Sequence, residues 1–505
     1  MKLLYIITQE IGESEVEFLA PIPVCRISNY LNSRKDELTD SIEELLIDLR
    51  CELPEFIPEQ VGDYRAALSN LLCSCYKFYP FELVAISCYG SGCYLNTLEV
   101  AYQIRNHINK DCVIIAGGPH VSLCPEDFYP QNFPESYSYL KETMLFDYLI
   151  QGEGERPFFT LIKTLMSHPS NKMHHDVPSC VNVEREQIID LNTLPILNLE
   201  LIHKYKKYYI RAEALYLDFT RGCPYKCSFC INSYLLANNR AIRTKSLDKC
   251  IKELEIIIEE GYERIHLCDS IFLSKKKLRS EFFKRLKKST ISSLTRISVS
   301  DRIDFCSDQD LKNYAKLNII PRFGLETLST TLIQRINKTP LSPKKYLQRF
   351  KQIVKLSNKV GLKAEFNVII NLPGTNIYSI NEMKDIIYSN SMPLIENYAI
   401  NFIFRIYYSV PKTYLYMVAE EEFGTKFLEK QWWKVPTKDQ KILSNLVIPS
   451  RDLSLKKSLS SYYSLIKEII QKQAKFDMSI YKKQTLLFLW GKITQIIKYC
   501  ENYNI

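Results

Sequence analysis

Glycine is scarce in this chain: 15 in 505 residues, about half the usual ~7%. That excludes collagen-like and glycine-rich linker architectures, and it gives weight to the glycines that remain. They cluster at 90 and 92, 117 and 118, 152 and 154, 222, 324 and 374, each just after a segment that reads as a strand. Glycine at strand ends suits loops that something approaches closely. No apolar run nears the ~20 residues of a membrane helix, so no membrane span is expected. No arginine-rich run is present, so no nucleic-acid partner is expected. Histidine is rare, seven in all, and the first is His107.

Charge and cysteine bound the class further. The net charge of +9 is modest for this length, but residues 1–100 carry 7 Lys and Arg against 16 Asp and Glu. The remainder is therefore basic, as expected of separate domains. Sixteen cysteines without a signal-like start argue for a reducing compartment, here read as cytoplasmic. The opening Met1-Lys-Leu-Leu-Tyr-Ile-Ile7 is too short for a signal core, is followed by Glu10, Glu13, Glu15 and Glu17, and reads as a buried first strand. Most cysteines, Cys88, Cys112 and Cys268 among them, lie in or beside apolar segments and read as small core residues. Cys93 and Cys124 lie in loops and stay open.

Three cysteines differ. Arg221-Gly222 leads into Cys223-Pro-Tyr-Lys-Cys227-Ser-Phe-Cys230, and the next Cys or His is Cys250 or His266. A closed zinc site takes four ligands, usually from paired knuckles. Three close thiolates on one loop suit an iron–sulfur cluster with one iron left open. A chance cluster, or a zinc knuckle completed from afar, is the alternative.

Periodicity organises the rest. Apolar strands are expected at 81–87, 112–116 and 146–150, with a helix over 95–108. That alternation implies a doubly wound parallel sheet, which binds ligands at the carboxyl ends of its strands. Residues 166–205 read as a polar connector; its His174-His175 pair reads as a solvated loop rather than a metal site. A second βα series follows, with strands at 214–219, 264–267, 296–300, 319–323, 364–370 and 398–406. Six such units suggest a partial barrel with its chemistry in the strand-end loops. Helices are expected at 247–260, 455–475 and 482–499.

The three-cysteine loop resembles the cluster-binding loop of the radical S-adenosylmethionine (radical SAM) superfamily. Later segments resemble it in order: Cys268-Asp269-Ser270, Gly324-Leu-Glu326 and the stretch from Phe366 through Asn371-Leu-Pro-Gly374. The first departs from the common Gly-Gly-Glu and resembles an Asp-bearing version found in cobalamin-associated members. Ser87-Cys-Tyr89, a gap of 27 residues, and Gly117 with Gly118 resemble the cobalamin-binding domain that precedes many such barrels. The fold class expected is thus α/β: a cobalamin-binding-like domain over 1–165, the connector, a radical SAM partial (β/α)6 core over 206–410 and a helical region over 411–505.

The resemblance implies cofactors and roles. A 4Fe-4S cluster would take Cys223, Cys227 and Cys230, and S-adenosylmethionine would chelate its open iron. Phe229, Asp269, Glu326 and Asn371 would meet that cofactor. Ser87, Tyr89, Gly117 and Gly118 would meet cobalamin, a side chain at either glycine clashing with the nucleotide tail. The Asp-x-His-x-x-Gly motif that supplies cobalt with a histidine in many relatives is absent before Ser87, so no protein histidine on cobalt is expected. The implied activity is generation of a 5′-deoxyadenosyl radical and C-methylation of an unactivated carbon in a natural product or peptide. The alternative is a radical rearrangement, cyclisation or oxidation; a non-catalytic metal-binding protein is the more distant rival. An external electron donor such as flavodoxin or ferredoxin is the implied partner. The catalytic side chains and the substrate are not legible.

Overall fold

A computed structural model describes residues 1–10, 18–53, 61–140, 143–167, 180–183, 185–212, 214–237, 239–289, 291, 295–390, 400–435, 445–474 and 480–503. The expected His174-His175 loop lies outside them. The chain forms two compact units. One comprises Met1–Ala212, Ile251–Ile256 and Gln431–Ser444; the other comprises Glu213–Cys250, Ile257–Lys430 and Asn445–Ile505.

The first unit is built on a six-stranded sheet. Its strands are β1 (Lys2–Ile7), β2 (Glu43–Asp48), β3 (Leu83–Ser87), β4 (Val113–Gly117), β5 (Tyr148–Ile150) and β6 (Val181–Val183), in the order β2-β1-β3-β4-β5-β6. All neighbours are parallel. A parallel sheet is covered on both faces, which is why β1 and β4 read as unbroken apolar runs. Leu3, Leu4, Ile6, Ile114 and Ala116 are fully buried. Two strands escaped the sequence reading, β2 and β6. Because β6 pairs with β5, Val181–Val183 of the expected connector belong to the first sheet. Residues 431–444, expected in a separate C-terminal region, also belong to this unit.

The second unit holds another parallel sheet. Here β7 (Leu215–Leu217) leads to a small antiparallel ribbon of β8 (Thr220–Arg221) and β9 (Arg243–Thr244). Then come β10 (Arg264–Leu267), β11 (Arg296–Asp301), β12 (Ile320–Glu326), β13 (Ala364–Ile370) and β14 (Ile400–Ile406). The order is β14-β13-β12-β11-β10-β7, as six sequential βα units demand. Its two faces differ sharply. Phe366 packs between Phe323 and Phe402, and Phe350 of the helix Pro343–Val360 packs against Phe366 and Phe402. The opposite face carries Tyr216, His266, Ser298 and Ser300, with His266 between the two serines at 2.9 and 3.0 Å, and the Arg322–Glu365 ion pair at 2.9 Å. Among the described residues no helix is long and apolar enough to cross a membrane.

One glycine at the carboxyl end of the first sheet is dictated by its own backbone. Gly118 has φ +115° and ψ −179°, a region only glycine populates readily. A Cβ there would stand 2.5 Å from the Cys88 carbonyl oxygen. Gly117 is different, since its Cβ would make ordinary contact with Ile150 at 3.6 Å and beyond. Gly118 is thus required by the fold itself, whereas no protein atom demands glycine at Gly117. Gly118→Ala should lower stability by about 1–3 kcal/mol from backbone strain alone, whereas Gly117→Ala should leave it within about 1 kcal/mol. Thermal and urea unfolding of both variants measure the difference.

Candidate functional site

The three-cysteine loop leaves the ribbon through Gly222, whose φ is +104° and whose Cβ would collide with the Ala241 carbonyl. The loop is held by its own carbonyls. Arg240 donates to the Tyr225 oxygen at 2.8 Å, Asn337 to the Lys226 oxygen at 2.9 Å and Ser233 to the Cys227 oxygen at 2.6 Å. The Ser228 amide donates to Ile336, and its carbonyl accepts from the Leu415 amide. Such bonds fix the loop before any cofactor arrives.

Each thiol has a hydrogen-bond donor. The Tyr225 amide serves Cys223 and the Asn232 amide serves Cys230. The Arg302 guanidinium lies 3.6 Å from the Cys227 sulfur. Burial pushes the Cys230 thiol up to about 11 and raises that of Cys223, while the amides and the cations Arg240, Arg302 and Lys338 pull the other way. The thiols interact electrostatically with one another. Yet among the described residues no three His, Cys, Asp or Glu side chains converge closely enough to bind one ion. In a cluster each iron takes one thiolate, so the sulfurs need not share an ion. The donor set fits an iron–sulfur cluster.

The neighbouring strand ends supply the other expected residues. Phe229 is half-buried against Ile336, Leu372, Tyr407, Leu415 and Val447. Glu326 is left-handed at φ +63° and accepts from Lys338 at 2.9 Å. Asn371 is also left-handed, at φ +61°, and fully buried. Its amide nitrogen donates to the Val447 carbonyl at 2.8 Å, while its side-chain oxygen has no partner among the described residues. Strained non-glycine residues at the ends of β12 and β13, one carrying an orphaned buried acceptor, suit a ligand that completes the site.

Two expectations change. Asp269 does not reach outward. It is buried, and one carboxylate oxygen accepts from the amides of Phe219 and Thr220 at 2.7 and 2.9 Å, at the root of the cysteine loop. Burial pushes its carboxyl up to about 6, opposed by those amides. Its geometry is that of a loop anchor. Cys268, expected in the core, is solvent-exposed. Surrounding atoms nevertheless push its thiol up to about 12, with Asp218 and Asp269 close by. Cys112 and Cys88 are buried as expected, and so are Cys93 and Cys124.

In the first unit Ser87 is half-buried and its carbonyl accepts from Thr8 at 2.8 Å. Tyr89 is 37% exposed, and burial of the rest of the ring raises its phenol. His120 is fully buried beside Ser91 (2.9 Å) and Asp127 (3.4 Å), against the rings of Tyr94, Phe128 and Trp433. Burial lowers its imidazole pKa. It is an internal packing residue. Arg302, Asp304 and Lys338 were missed as site residues, because nothing local in the sequence marks them.

Residues 217–387 match the model of the radical SAM superfamily. It is 26% identical over 313 residues to an uncharacterized methyltransferase of Pyrococcus horikoshii, covering 59% of this chain and 61% of that protein. It is 26% identical over 203 residues to the 2-(S-pantetheinyl)-carbapenam-3-carboxylate methyltransferase of Streptantibioticus cattleyicolor, covering 38% of this chain and 28% of that protein. The chain thus spans less than two thirds of either curated relative. Its fold is that of the radical S-adenosylmethionine methyltransferase TsrM of Kitasatospora setae (TM-score 0.61, 14% identity, 93% of this chain and 88% of that one). The cobalamin-dependent S-adenosylmethionine radical enzyme OxsB is similar also (TM-score 0.60, 15% identity, 98% and 71%). The expected α/β class with two parallel sheets holds.

Two outcomes follow from this geometry. Asp269→Ala strands two buried amides, each costing about 1–3 kcal/mol, so it should lower the melting temperature and the iron retained per chain. Asp269→Asn keeps one acceptor oxygen and should lose less. His266 is neutral in the fold, its pKa lowered to about 3 by burial and then by Arg322. The unfolded chain binds a proton there below about 6.5 and the folded chain does not. Stability should therefore fall with acidification between about pH 6.5 and pH 3, by up to about 1.4 kcal/mol per pH unit. His266→Gln should flatten that part of the curve in pH-dependent urea unfolding.

Proposed function

We propose that this chain is a cobalamin-dependent radical SAM methyltransferase that methylates an unactivated carbon in a small natural product or peptide. The observation that carries the reading is the loop of Cys223, Cys227 and Cys230, three thiols at close spacing, each supplied with a hydrogen-bond donor. When bound, a 4Fe-4S cluster, S-adenosylmethionine and cobalamin would supply electron transfer, radical generation and a methyl carrier. The chain's own residues position and shield. Phe229 offers a ring beside the cluster loop. Lys338 holds Glu326 in its left-handed conformation, and Asn371 presents an unused oxygen. Ser87, Tyr89 and Gly117 offer cobalamin a partly open strand-end surface, and Gly118 shapes it. No histidine is assigned to cobalt: His120 is enclosed beside Ser91 and Asp127. An external one-electron donor of the flavodoxin or ferredoxin kind is the expected partner.

A second reading has one supporting observation. The anaerobic magnesium-protoporphyrin IX monomethyl ester cyclase of Rubrivivax gelatinosus is 23% identical over 303 residues, so cyclisation or oxidation without methyl transfer is the alternative.

Anaerobic reconstitution separates the two. The methyltransferase reading expects about four irons and one cobalamin per chain, with S-adenosylhomocysteine formed as well as 5′-deoxyadenosine. Cys223→Ala, Cys227→Ala or Cys230→Ala should abolish reductive cleavage of S-adenosylmethionine. Uptake of the cluster without cobalamin would put the second reading first, and normal cleavage in a cysteine variant would remove the loop assignment. Paramagnetic resonance of the cobalt(II) state should lack splitting from a histidine nitrogen.

A further inference from the structure

The three sulfurs of the loop do not have equivalent donors. Cys223 and Cys230 each take a backbone amide from two residues further on. Cys227, the most buried of the three at 7% exposure, takes the Arg302 guanidinium at 3.6 Å. Arg302 stands at the carboxyl end of β11 and is itself 5% exposed. Its position is fixed on every side. The guanidinium lies over the Tyr225 ring, 3.6 Å from its centroid. Asp304 takes its Nε and one terminal nitrogen at 2.9 and 2.7 Å, and the Lys338 carbonyl accepts from that same nitrogen. The other terminal nitrogen is the one directed at sulfur.

We infer that Arg302 is a positioning residue that sets the reduction potential of the cluster, with Asp304 as its counterweight. The inference rests on the reading that the three-thiol loop holds the cluster. The physics is direct. One-electron reduction adds negative charge to the cluster, and a fixed cation donating to a ligand sulfur stabilises the reduced state more than the oxidised one. Hydrogen bonds to sulfur and local net charge are among the determinants of such potentials. Burial strengthens the effect, because little water screens it. The Asp304 carboxylate, fully enclosed on the far side of the fork, offsets part of that cation. A donor with its own buried counter-charge allows both signs of perturbation, which a merely structural arginine would not.

The experiment is a redox titration of the anaerobically reconstituted full chain, followed by paramagnetic resonance of the reduced cluster, with iron and sulfide measured in parallel. Arg302→Gln should shift the reduction equilibrium toward the oxidised state about tenfold, or 59 mV for one electron. Asp304→Asn should shift it the other way by severalfold, since the cation then acts uncompensated. Should Arg302→Gln load too little iron to read, Arg302→Lys replaces it. Lysine keeps the charge but cannot reach Asp304, Tyr225 and sulfur together, so its potential should fall less, still opposite in sign to Asp304→Asn. Opposed shifts support the inference. Shifts of the same sign, or both within about twofold of the unaltered protein, overturn it. A wild-type chain that takes up no cluster at all would instead overturn the reading of the loop, and the iron and sulfide measurement tells the two failures apart.

Discussion

Three thiolates drawn together on one short loop repel one another, and burial penalises their charge further. The rest of the second unit can be understood as the answer to that constraint. Backbone amides serve the outer two sulfurs and a guanidinium serves the middle one. Arg240 and Lys338 add positive charge nearby. Donors of this kind work only if the loop is rigid. Rigidity comes from the strand ends: Asp269 ties down Phe219 and Thr220 where the loop begins, and Arg240, Asn337 and Ser233 bind its carbonyls. The parallel sheet matters because it delivers all these groups to one edge, where consecutive strands end side by side.

That edge is also where local conformation is least relaxed. Glu326 and Asn371 are left-handed non-glycine residues, each costing about 1–3 kcal/mol. Neighbours hold them there: Lys338 on Glu326, the Val447 carbonyl on Asn371. The other face of the sheet is apolar and stacked with aromatic rings, and its packing carries the stability that tolerates such strain. The face that bears His266, Ser298, Ser300 and the Arg322–Glu365 pair is polar and internally hydrogen-bonded.

Much of this was legible in the sequence, and the failures have physical causes. Cysteine spacing marked the loop because its ligands are local. The apolar runs of β1, β4 and β13 marked both sheets because parallel strands are covered. The strands missed in the first sheet, β2 and β6, are its two edges. Edge strands need not be apolar, and β2 opens on Glu43 and Glu44 while β6 has only three residues. Cys268 was misread although period-two alternation could have placed it. It follows Arg264 and His266 on one face, while Ile265 and Leu267 pack on the other. Asp269 was found by its motif but given an outward role, since the sequence does not reveal that two amides from another strand end meet it. Arg302, Asp304 and Lys338 lie 72 or more positions from the nearest loop cysteine, so only the fold brings them to it.

The central claim is that the three-thiol loop binds a four-iron cluster with one iron open to S-adenosylmethionine. Mössbauer spectroscopy of the iron-57-reconstituted chain, with and without S-adenosylmethionine, tests it most directly. The account predicts four irons per chain, with one quarter of the signal displaced on addition of S-adenosylmethionine and the other three irons little changed. A spectrum that S-adenosylmethionine leaves unaltered, or a chain that binds one zinc and no sulfide, would contradict it.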